Sequence, residues 1–392
     1  MSKFSSPELF LHFCSQLFKK DPTVALTTHY IMLMYIKYQN LPEIGALPTV
    51  AQTTQQYLNL KNGEVALTND PYSGGTILSN LHLIMGISTS SSGKSTQTDL
   101  LLVKKIPLKP KISLGKSIEE EGIRIPPTPV FRDGQINNEV LTAISEHDAI
   151  PDSFTRTISH GIDSLQELHK AFSQFNRVYK LDWSRANIKK FFNESKLAMQ
   201  SLISEIRTGE HLEELELNDG SRLKLTIDVS DEKIIFDFSG SDNSESVHLT
   251  HSAALGACTG ALAALFGKNL PINYGVFQCI EVVAPEGTMV HAKYPMPTYF
   301  GMTDGASLIA NLVLKAIGQI DKSRNFPLSG SSHCAFDIEF TDKHFFETLE
   351  PGAPASAERQ GSDGLNIWQR SHLQPSVEEI ERLYPLQAES FS

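Results

Sequence analysis

The stretch LKLTIDVSDEKIIFDF, residues 223–238, carries the clearest strand pattern in this chain of 392 residues. Apolar side chains occupy alternate positions on both sides of the polar triplet Ser230-Asp231-Glu232; they are Leu223, Leu225, Ile227 and Val229 before it, and Ile234, Phe236 and Phe238 after it. A period of two is typical of a strand that buries one face, and a polar triplet between two such runs predicts a β-hairpin. The C-terminal half is therefore expected to contain a sheet.

Helices are predicted on both sides of this hairpin. Apolar residues recur at three- and four-residue steps from Ile158 to Phe175, and a second amphipathic helix is expected over residues 187–206. The most apolar stretch, residues 253–267, is too short for a membrane span and carries three glycines. It is predicted to be a buried helix that packs closely on its neighbours. A strand near residues 277–283 and a helix capped by Asp304 complete this half.

The N-terminal half has a different pattern of apolar residues. Short apolar runs at residues 64–68, 81–88 and 100–103 are separated by Gly, Ser and Asn, which indicates strands and turns. Ahead of them, one helix is expected from Ser6-Pro7 to about Asp21-Pro22, and a second over residues 30–38.

These patterns predict a mixed α/β (α+β) fold, with a β-rich N-terminal half and a mixed α/β C-terminal half joined by amphipathic helices. We place the N-terminal region at residues 1–150, the helical connector at residues 151–210 and the C-terminal region at residues 211–392.

Charge and cysteine spacing exclude several classes of function. A formal net charge of −11 leaves no surplus of cations for phosphates, so neither nucleic acid nor an anionic membrane is expected as a partner. The N-terminus lacks a signal-peptide pattern, which predicts a cytoplasmic protein. Reduced, buried thiols are expected, because no CxxC spacing occurs among Cys14, Cys258, Cys279 and Cys334.

Several common catalytic motifs are missing from the sequence. Residues 86–95, GISTSSSGKS, end like a P-loop, but six residues rather than four separate the glycines, so a polar hairpin loop is expected. No GxSxG, HExxH or GxGxxG motif occurs. His248 and His251 are three residues apart, and solvated or capping roles are favoured over metal binding.

Residues 69–76, NDPYSGGT, are the best candidate for a functional loop. Asn-Asp-Pro makes a turn with a free side-chain oxygen, and Gly74-Gly75 allow backbone amides to approach a ligand closely. On these residues alone, an ordinary turn is the simpler interpretation and a ligand-binding loop is the alternative.

The sequence NDPYSGGT of this loop resembles a signature of the hydantoinase B/oxoprolinase family. That family includes B subunits of ATP-dependent hydantoinases, 5-oxoprolinase, and relatives in acetone and acetophenone carboxylases. The resemblance covers roughly residues 60 to 390, in a chain that looks divergent and shortened at both ends. It continues, in the family order, through EEGIRIPP (120–127) with FRDGQIN (131–137), DFSGS (237–241), LPINYG (270–275), VVAPEGT (282–288), GSDG (361–364) and EEIERLYPL (378–386).

The resemblance implies hydrolytic opening of a cyclic amide of the 5-oxoproline or hydantoin type, in an oligomer with a hydantoinase A-type subunit. The partner would bind ATP and phosphorylate the ring amide, and the B subunit would complete hydrolysis with a divalent metal and an activated water. This division of labour would explain the missing P-loop.

Matching positions suggest which residues would act, although each also has a purely structural interpretation. Asp70 and Asp363 would hold a metal or position water, and Arg124 would bind a substrate carboxylate. Gly74, Gly75 and Asp304 would contact the substrate. Equally, the aspartates would cap turns or a helix, and Arg124 would form a structural ion pair.

The sequence departs from the family pattern at the positions that would bind a metal. The family usually has His and Asp where this chain has Ile77 and Asn80, and the histidine-rich segment corresponds here to residues 104–115, which contain no histidine. Tight binding of a divalent ion is therefore not expected. The alternative to a hydrolase subunit is a non-catalytic scaffold or regulatory paralogue that has lost the metal site.

Overall fold

A computed structural model of the chain describes residues 7–30, 32–90, 97–107, 116–179, 181–267, 270–328, 330, 334–340, 344–349, 352, 354–355, 360–362, 376–387 and 389. The helices are α1 (Pro7–Leu17), α2 (Glu43–Leu58), α3 (Ile118–Glu121), α4 (Asn138–Ser145), α5 (Phe154–Tyr179), α6 (Arg185–Ile203), α7 (His251–Phe266), α8 (Tyr274–Phe277), α9 (Ala306–Ile320) and α10 (Val377–Leu383). The strands are β1 (Val24–Thr28), β2 (Leu33–Lys37), β3 (Val65–Thr68), β4 (Asn80–Ile87), β5 (Leu100–Pro107), β6 (Thr128–Arg132), β7 (Gln135–Ile136), β8 (Gly209–Glu216), β9 (Arg222–Val229), β10 (Ile234–Asp237), β11 (Ile280–Val283), β12 (Cys334–Glu339) and β13 (His344–Leu349).

The first sheet has seven antiparallel strands in the order β2-β1-β5-β4-β3-β6-β7. Its central strand, β4, is buried along its whole length because helices cover both faces. Leu83 and Leu81 face α1 and α5 on one side, whereas Ile84 packs with Leu47 of α2 on the other. The predicted strands in this half are confirmed.

The second sheet, in the order β11-β10-β9-β8, contains the predicted hairpin. Strands β9 and β10 are antiparallel, and Ser230 closes the turn by donating its backbone N–H to the carbonyl of Lys233. The alternating apolar residues of both strands are buried against α7 and α9, so the period of two marks the core face. The mixed α/β fold class is confirmed.

Helix α2 packs on the first sheet and α7 on the second, and the backbones of these two helices lie in direct contact. A Cβ atom on Gly45 of α2 would lie 2.0 Å from the carbonyl oxygen of Ser252. One on Gly256 of α7 would lie 2.4 Å from that of Leu41. Only hydrogen can occupy these positions, so the glycines allow the two backbones to touch. The prediction of a closely packed glycine-bearing helix is confirmed.

Three expectations for local structure require correction. Residues 33–37 of the expected second helix form strand β2, because pairing with β1 at the sheet edge stabilises this short apolar run, whose periodicity does not distinguish strand from helix. The first helix ends at Leu17, earlier than expected, and Ser6 lies outside the described residues. Asp304 does not cap α9: it lies in a π-helical turn, Gly301–Gly305, that runs into the helix with helical backbone geometry at Gly305.

Other sequence expectations concern the thiols and the membrane. Cys14, Cys258 and Cys279 are buried and free, as predicted. No helix in the described part of the chain is both long and apolar enough to cross a membrane. The three regions drawn from the sequence stay a prediction.

The substitution Gly45→Ala is expected to destabilise the fold by about 3 kcal/mol, because the new methyl group meets a backbone carbonyl that cannot move alone. Urea denaturation measures the change. The exposed residue Gln52 of the same helix provides the control, since Gln52→Ala should change the unfolding free energy by less than about 0.5 kcal/mol. Equal stabilities of the two variants would contradict the close helix contact.

Candidate functional site

The NDPYSGGT loop connects β3 to β4 and begins with a tight turn. Asp70 caps the short 3₁₀ helix Pro71–Ser73: its Oδ1 accepts from the backbone N–H of Tyr72 at 3.0 Å. Its Oδ2 accepts from the hydroxyl of Ser73 at 2.7 Å. The carboxylate is buried, so these donors stabilise its charge and fix its orientation.

Asn69 brings a second segment to this turn. Its amide nitrogen donates to the carbonyls of Leu78 at 2.9 Å and Ile123 at 3.0 Å, and its Oδ1 accepts from the backbone N–H of Ile125 at 2.6 Å. The two bonds to residues 123 and 125 hold the backbone on either side of Arg124. The side chain of Arg124 is thereby presented beside Asp70, with Nη1 3.8 Å from Oδ2.

The Arg124 guanidinium lies against a pair of aromatic rings. Its central carbon is 5.0 Å from the ring centre of Tyr294 and 5.7 Å from that of Tyr72, and the rings themselves meet edge to face at 5.9 Å. Cation–π contact and the Asp70 carboxylate restrict the side chain. Because Arg124 is 43% exposed, its guanidinium remains accessible to an anion from solvent.

Two glutamates of α3, Glu119 and Glu121, complete this surface. Glu121 is buried and accepts from the backbone N–H groups of Thr298 (3.1 Å) and Tyr299 (3.0 Å), while burial raises its pKa. A hydrogen bond from Tyr294 lowers the pKa of Glu119. Burial and then the charge of Glu121 raise the pKa of Tyr72, so this phenol stays protonated at neutral pH and donates to the carbonyl of Met296 at 2.5 Å.

Gly74 and Gly75 join the loop to the N-terminus of α7. Their backbone N–H groups are bonded inside the turn, to the carbonyls of Pro71 and Asp70. The carbonyl of Gly75 accepts from the Thr250 hydroxyl at 3.0 Å, and that of Gly74 accepts from the Ser252 hydroxyl at 3.1 Å. The glycines therefore position the loop against the C-terminal half of the protein.

The family's metal-ligand positions lie at the start of β4. Ile77 is buried and offers no donor atom, and the amide nitrogen of Asn80 donates to the Thr76 hydroxyl at 2.9 Å. Among the residues that the structure describes, no group of three or more His, Cys, Asp or Glu side chains is arranged to hold a metal. The described residues at these positions do not fit a tightly bound divalent ion.

A buried cation lies on the same face of the sheet, near these positions. His82 follows Asn80 by two residues in β4 and pairs across the sheet with Lys105, whose ammonium forms a buried ion pair with Glu43 of α2. Burial, followed by the charge of Lys105, lowers the pKa of His82 to about 4. Burial raises the pKa of Glu43, but Lys105 and two backbone N–H donors outweigh it and leave that pKa below its usual value.

The remaining sequence candidates have other partners or lie outside the described residues. Asp304 accepts from the Thr303 hydroxyl at 2.8 Å in the turn before α9, and Asp363 lies outside the described residues. His248 is buried between Asn243 and Pro297, whereas the ring of His251 lies 5.2 Å from that of His291 at a tilted angle, so the two histidines do not form one site. Residues 91–96 of the predicted hairpin loop also lie outside the described part.

Sequence reasoning missed several residues of this arrangement. Tyr294 and Glu121 contact the loop region from distant segments, and no spacing in the sequence marks them. The buried pair Glu43 and Lys105 had a weak signal, since a lysine directly after the apolar run of β5 interrupts a core strand.

Comparison with known sequences identifies related proteins. The chain is 24% identical to an uncharacterised protein of Methanocaldococcus jannaschii over 364 residues, which cover 89% of this chain and 63% of the relative. It is 24% identical to a 5-oxoprolinase of Dictyostelium discoideum, over 85% of this chain and 27% of that protein. A protein of a Pseudomonas species, named as the B subunit of a D-/L-hydantoinase, is 20% identical over 69% of this chain and 49% of its own length. The chain therefore spans less than two thirds of the length of each.

Among solved structures, the ATP-dependent caprolactamase from Pseudomonas jessenii shares the fold. It aligns with a TM-score of 0.83 at 16% identity, over 98% of this chain and 72% of the caprolactamase chain. The sequence profile of Hydantoinase B/oxoprolinase matches residues 111–392. Because this match covers well over half of the chain and includes Arg124, the protein belongs to the hydantoinase B/oxoprolinase family.

Proposed function

We propose that this chain is a hydantoinase B-type subunit for the ATP-dependent hydrolytic opening of a cyclic amide of the 5-oxoproline or hydantoin type. The observation that carries the proposal is the accessible Arg124, held against Tyr72 and Tyr294 beside the NDPYSGGT turn. Relatives named as a 5-oxoprolinase and as the B subunit of a hydantoinase, and the fold shared with an ATP-dependent caprolactamase, support it.

ATP is assigned to a hydantoinase A-type partner. A lactam carbon is a poor electrophile until its oxygen is phosphorylated, because phosphate is then available as a leaving group. Attack of one water at the activated carbon, with cleavage of the ring C–N bond and protonation of the leaving nitrogen, gives an acyl phosphate. Attack of a second water then releases phosphate and leaves the open-chain carboxylate. Since the described residues do not fit a divalent metal, no step is assigned to one.

Within this chain, Arg124 binds the carboxylate of a ring such as 5-oxoproline through charged hydrogen bonds. Cation–π contacts with Tyr72 and Tyr294 restrict the guanidinium, which stays accessible to the substrate carboxylate. Asp70 positions Arg124 and the turn, since both of its oxygens already accept hydrogen bonds. The proposal assigns Asp363 to the attacking water and Asp304 to substrate contact, whereas Gly74 and Gly75 position the turn through their internal hydrogen bonds.

The direct test measures ATP-dependent ring opening by this chain co-purified with its own A-type partner, against the partner alone. With ATP and divalent metal present, we expect glutamate from 5-oxoproline or an N-carbamoyl amino acid from a hydantoin, only when this chain is present. An intact complex that opens neither ring, beside an active homologue, would refute the proposal and favour a scaffold.

The substitution Arg124→Ala is expected to raise the KM for 5-oxoproline about tenfold, because it removes a charged contact to the substrate carboxylate. A hydantoin without a carboxylate should keep its KM. Arg132→Ala is the matched control, since Arg132 is similarly exposed and pairs with Glu64 at 3.7 Å away from the loop. Equal effects of Arg124→Ala on both rings would show that the arginine is structural.

Calorimetric titration with Mn²⁺ or Zn²⁺ tests the metal positions. We expect the natural chain to bind neither ion tightly, and the double substitution Ile77→His with Asn80→Asp to raise affinity at least about tenfold, because it supplies two donor groups. Ile77→Ala with Asn80→Ala, which removes the same side chains without adding donors, is the control. Tight binding of one equivalent by the natural chain would show that this interpretation of the site is wrong.

A further inference from the structure

A cavity of about 980 Å³ lies at the other end of the seven-stranded sheet from the signature turn. Asn80 pairs with Pro107 at the turn end, whereas Ile87 pairs with Leu100 at the cavity end. This length of strand spans about 25 Å at roughly 3.3 Å per residue. The cavity is therefore separate from the site described above, and its volume lies within the range of small-molecule pockets.

Aromatic side chains form much of the wall, and their packing holds them in place. The indole N–H of Trp183 donates to Asn176 at 2.8 Å, and its ring packs edge-on against Phe10 at 5.9 Å. Phe192 meets Tyr274 in a T-shaped contact at 5.4 Å. Such fixed rings offer a preformed surface for a flat ligand ring at little cost in side-chain entropy.

Two cations line the same cavity. Arg185 and Lys189 are exposed and lie one turn apart at the start of α6, so they share a face of the helix. Neither forms an ion pair within the described part of the chain. In a protein with a net charge of −11, two cations at a helix N-terminus beside aromatic walls favour an anionic group.

One carboxylate also lines the cavity, but it is engaged in the wall. Asp99 accepts from the backbone N–H of Thr89 at 2.7 Å and from the Thr89 hydroxyl at 3.0 Å, so it ties the segment after β4 to the segment before β5. These bonds fix one oxygen of the carboxylate, and Arg185 and Lys189 line the cavity from the start of α6.

We propose that this cavity binds a small molecule in which a flat ring carries a phosphate group, of the size of a nucleoside monophosphate. The ring lies against the aromatic wall, and the phosphate lies at Arg185 and Lys189 near the N-terminus of α6. The site is independent of amide hydrolysis, and it requires neither the A-type partner nor the signature turn.

The test is calorimetric titration of the full chain with AMP, adenosine and inorganic phosphate as separate probes. We expect AMP to bind at least about tenfold more tightly than either fragment, because only AMP engages both parts of the cavity. Lys189→Ala should weaken AMP binding about tenfold. Lys190→Ala, which removes the same charge from the next position, where it pairs with Glu194 at 3.9 Å, should leave it within about twofold.

Tyr30→Ala tests the ring contact, since this side chain lines the cavity and is 81% exposed, so its loss should not unfold the protein. It should weaken AMP binding and leave phosphate binding unchanged. The proposal is overturned if AMP does not bind at millimolar concentration, if phosphate alone binds as tightly as AMP, or if Lys189→Ala and Lys190→Ala have equal effects. Far-UV circular dichroism of each variant shows that the comparison is made on folded protein.

Discussion

The contact of α2 with α7 through glycine sets the position of almost everything else in the molecule. Because Gly45 lies directly against the carbonyl of Ser252, the N-termini of both helices meet at one point. The Ser252 side chain then reaches the carbonyl of Gly74, whose own Cβ position would collide with Thr49 of α2. Glycines on three separate segments thus converge where a larger side chain at any of them would push the sheets apart.

The same junction explains the buried charges beneath α2. Glu43, the first residue of that helix, is held by Lys105 and by backbone N–H groups, so a carboxylate and an ammonium are both removed from solvent. Such a pair tolerates burial only when its hydrogen bonds are satisfied. It also places a fixed positive charge on the sheet face that carries Asn80 and keeps His82 neutral.

The seven-stranded sheet presents different chemistry at its two ends. At the end where β4 begins, the loop geometry positions one arginine against two tyrosines, which suits a carboxylate. At the end where β4 finishes, aromatic rings and two cations of α6 line a cavity of about 980 Å³. The strands between them are buried on both faces, so they provide a rigid spacer rather than a channel.

The sequence by itself determined the elements whose signal is local. The period of two in β9 and β10, the helical period of α5, and the glycine-bearing apolar run of α7 each reflect a single buried face, so neighbours along the chain reveal them. The NDPYSGGT motif, together with the other motifs that follow it in the family order, likewise indicated the family. Only the tertiary structure decided that residues 33–37 are a strand, because its partner β1 stabilises it. It also placed Tyr294 against Arg124 and Lys105 against Glu43: these contacts join segments far apart in sequence, and the packing energy that selects them exists only once the helices and sheets have assembled.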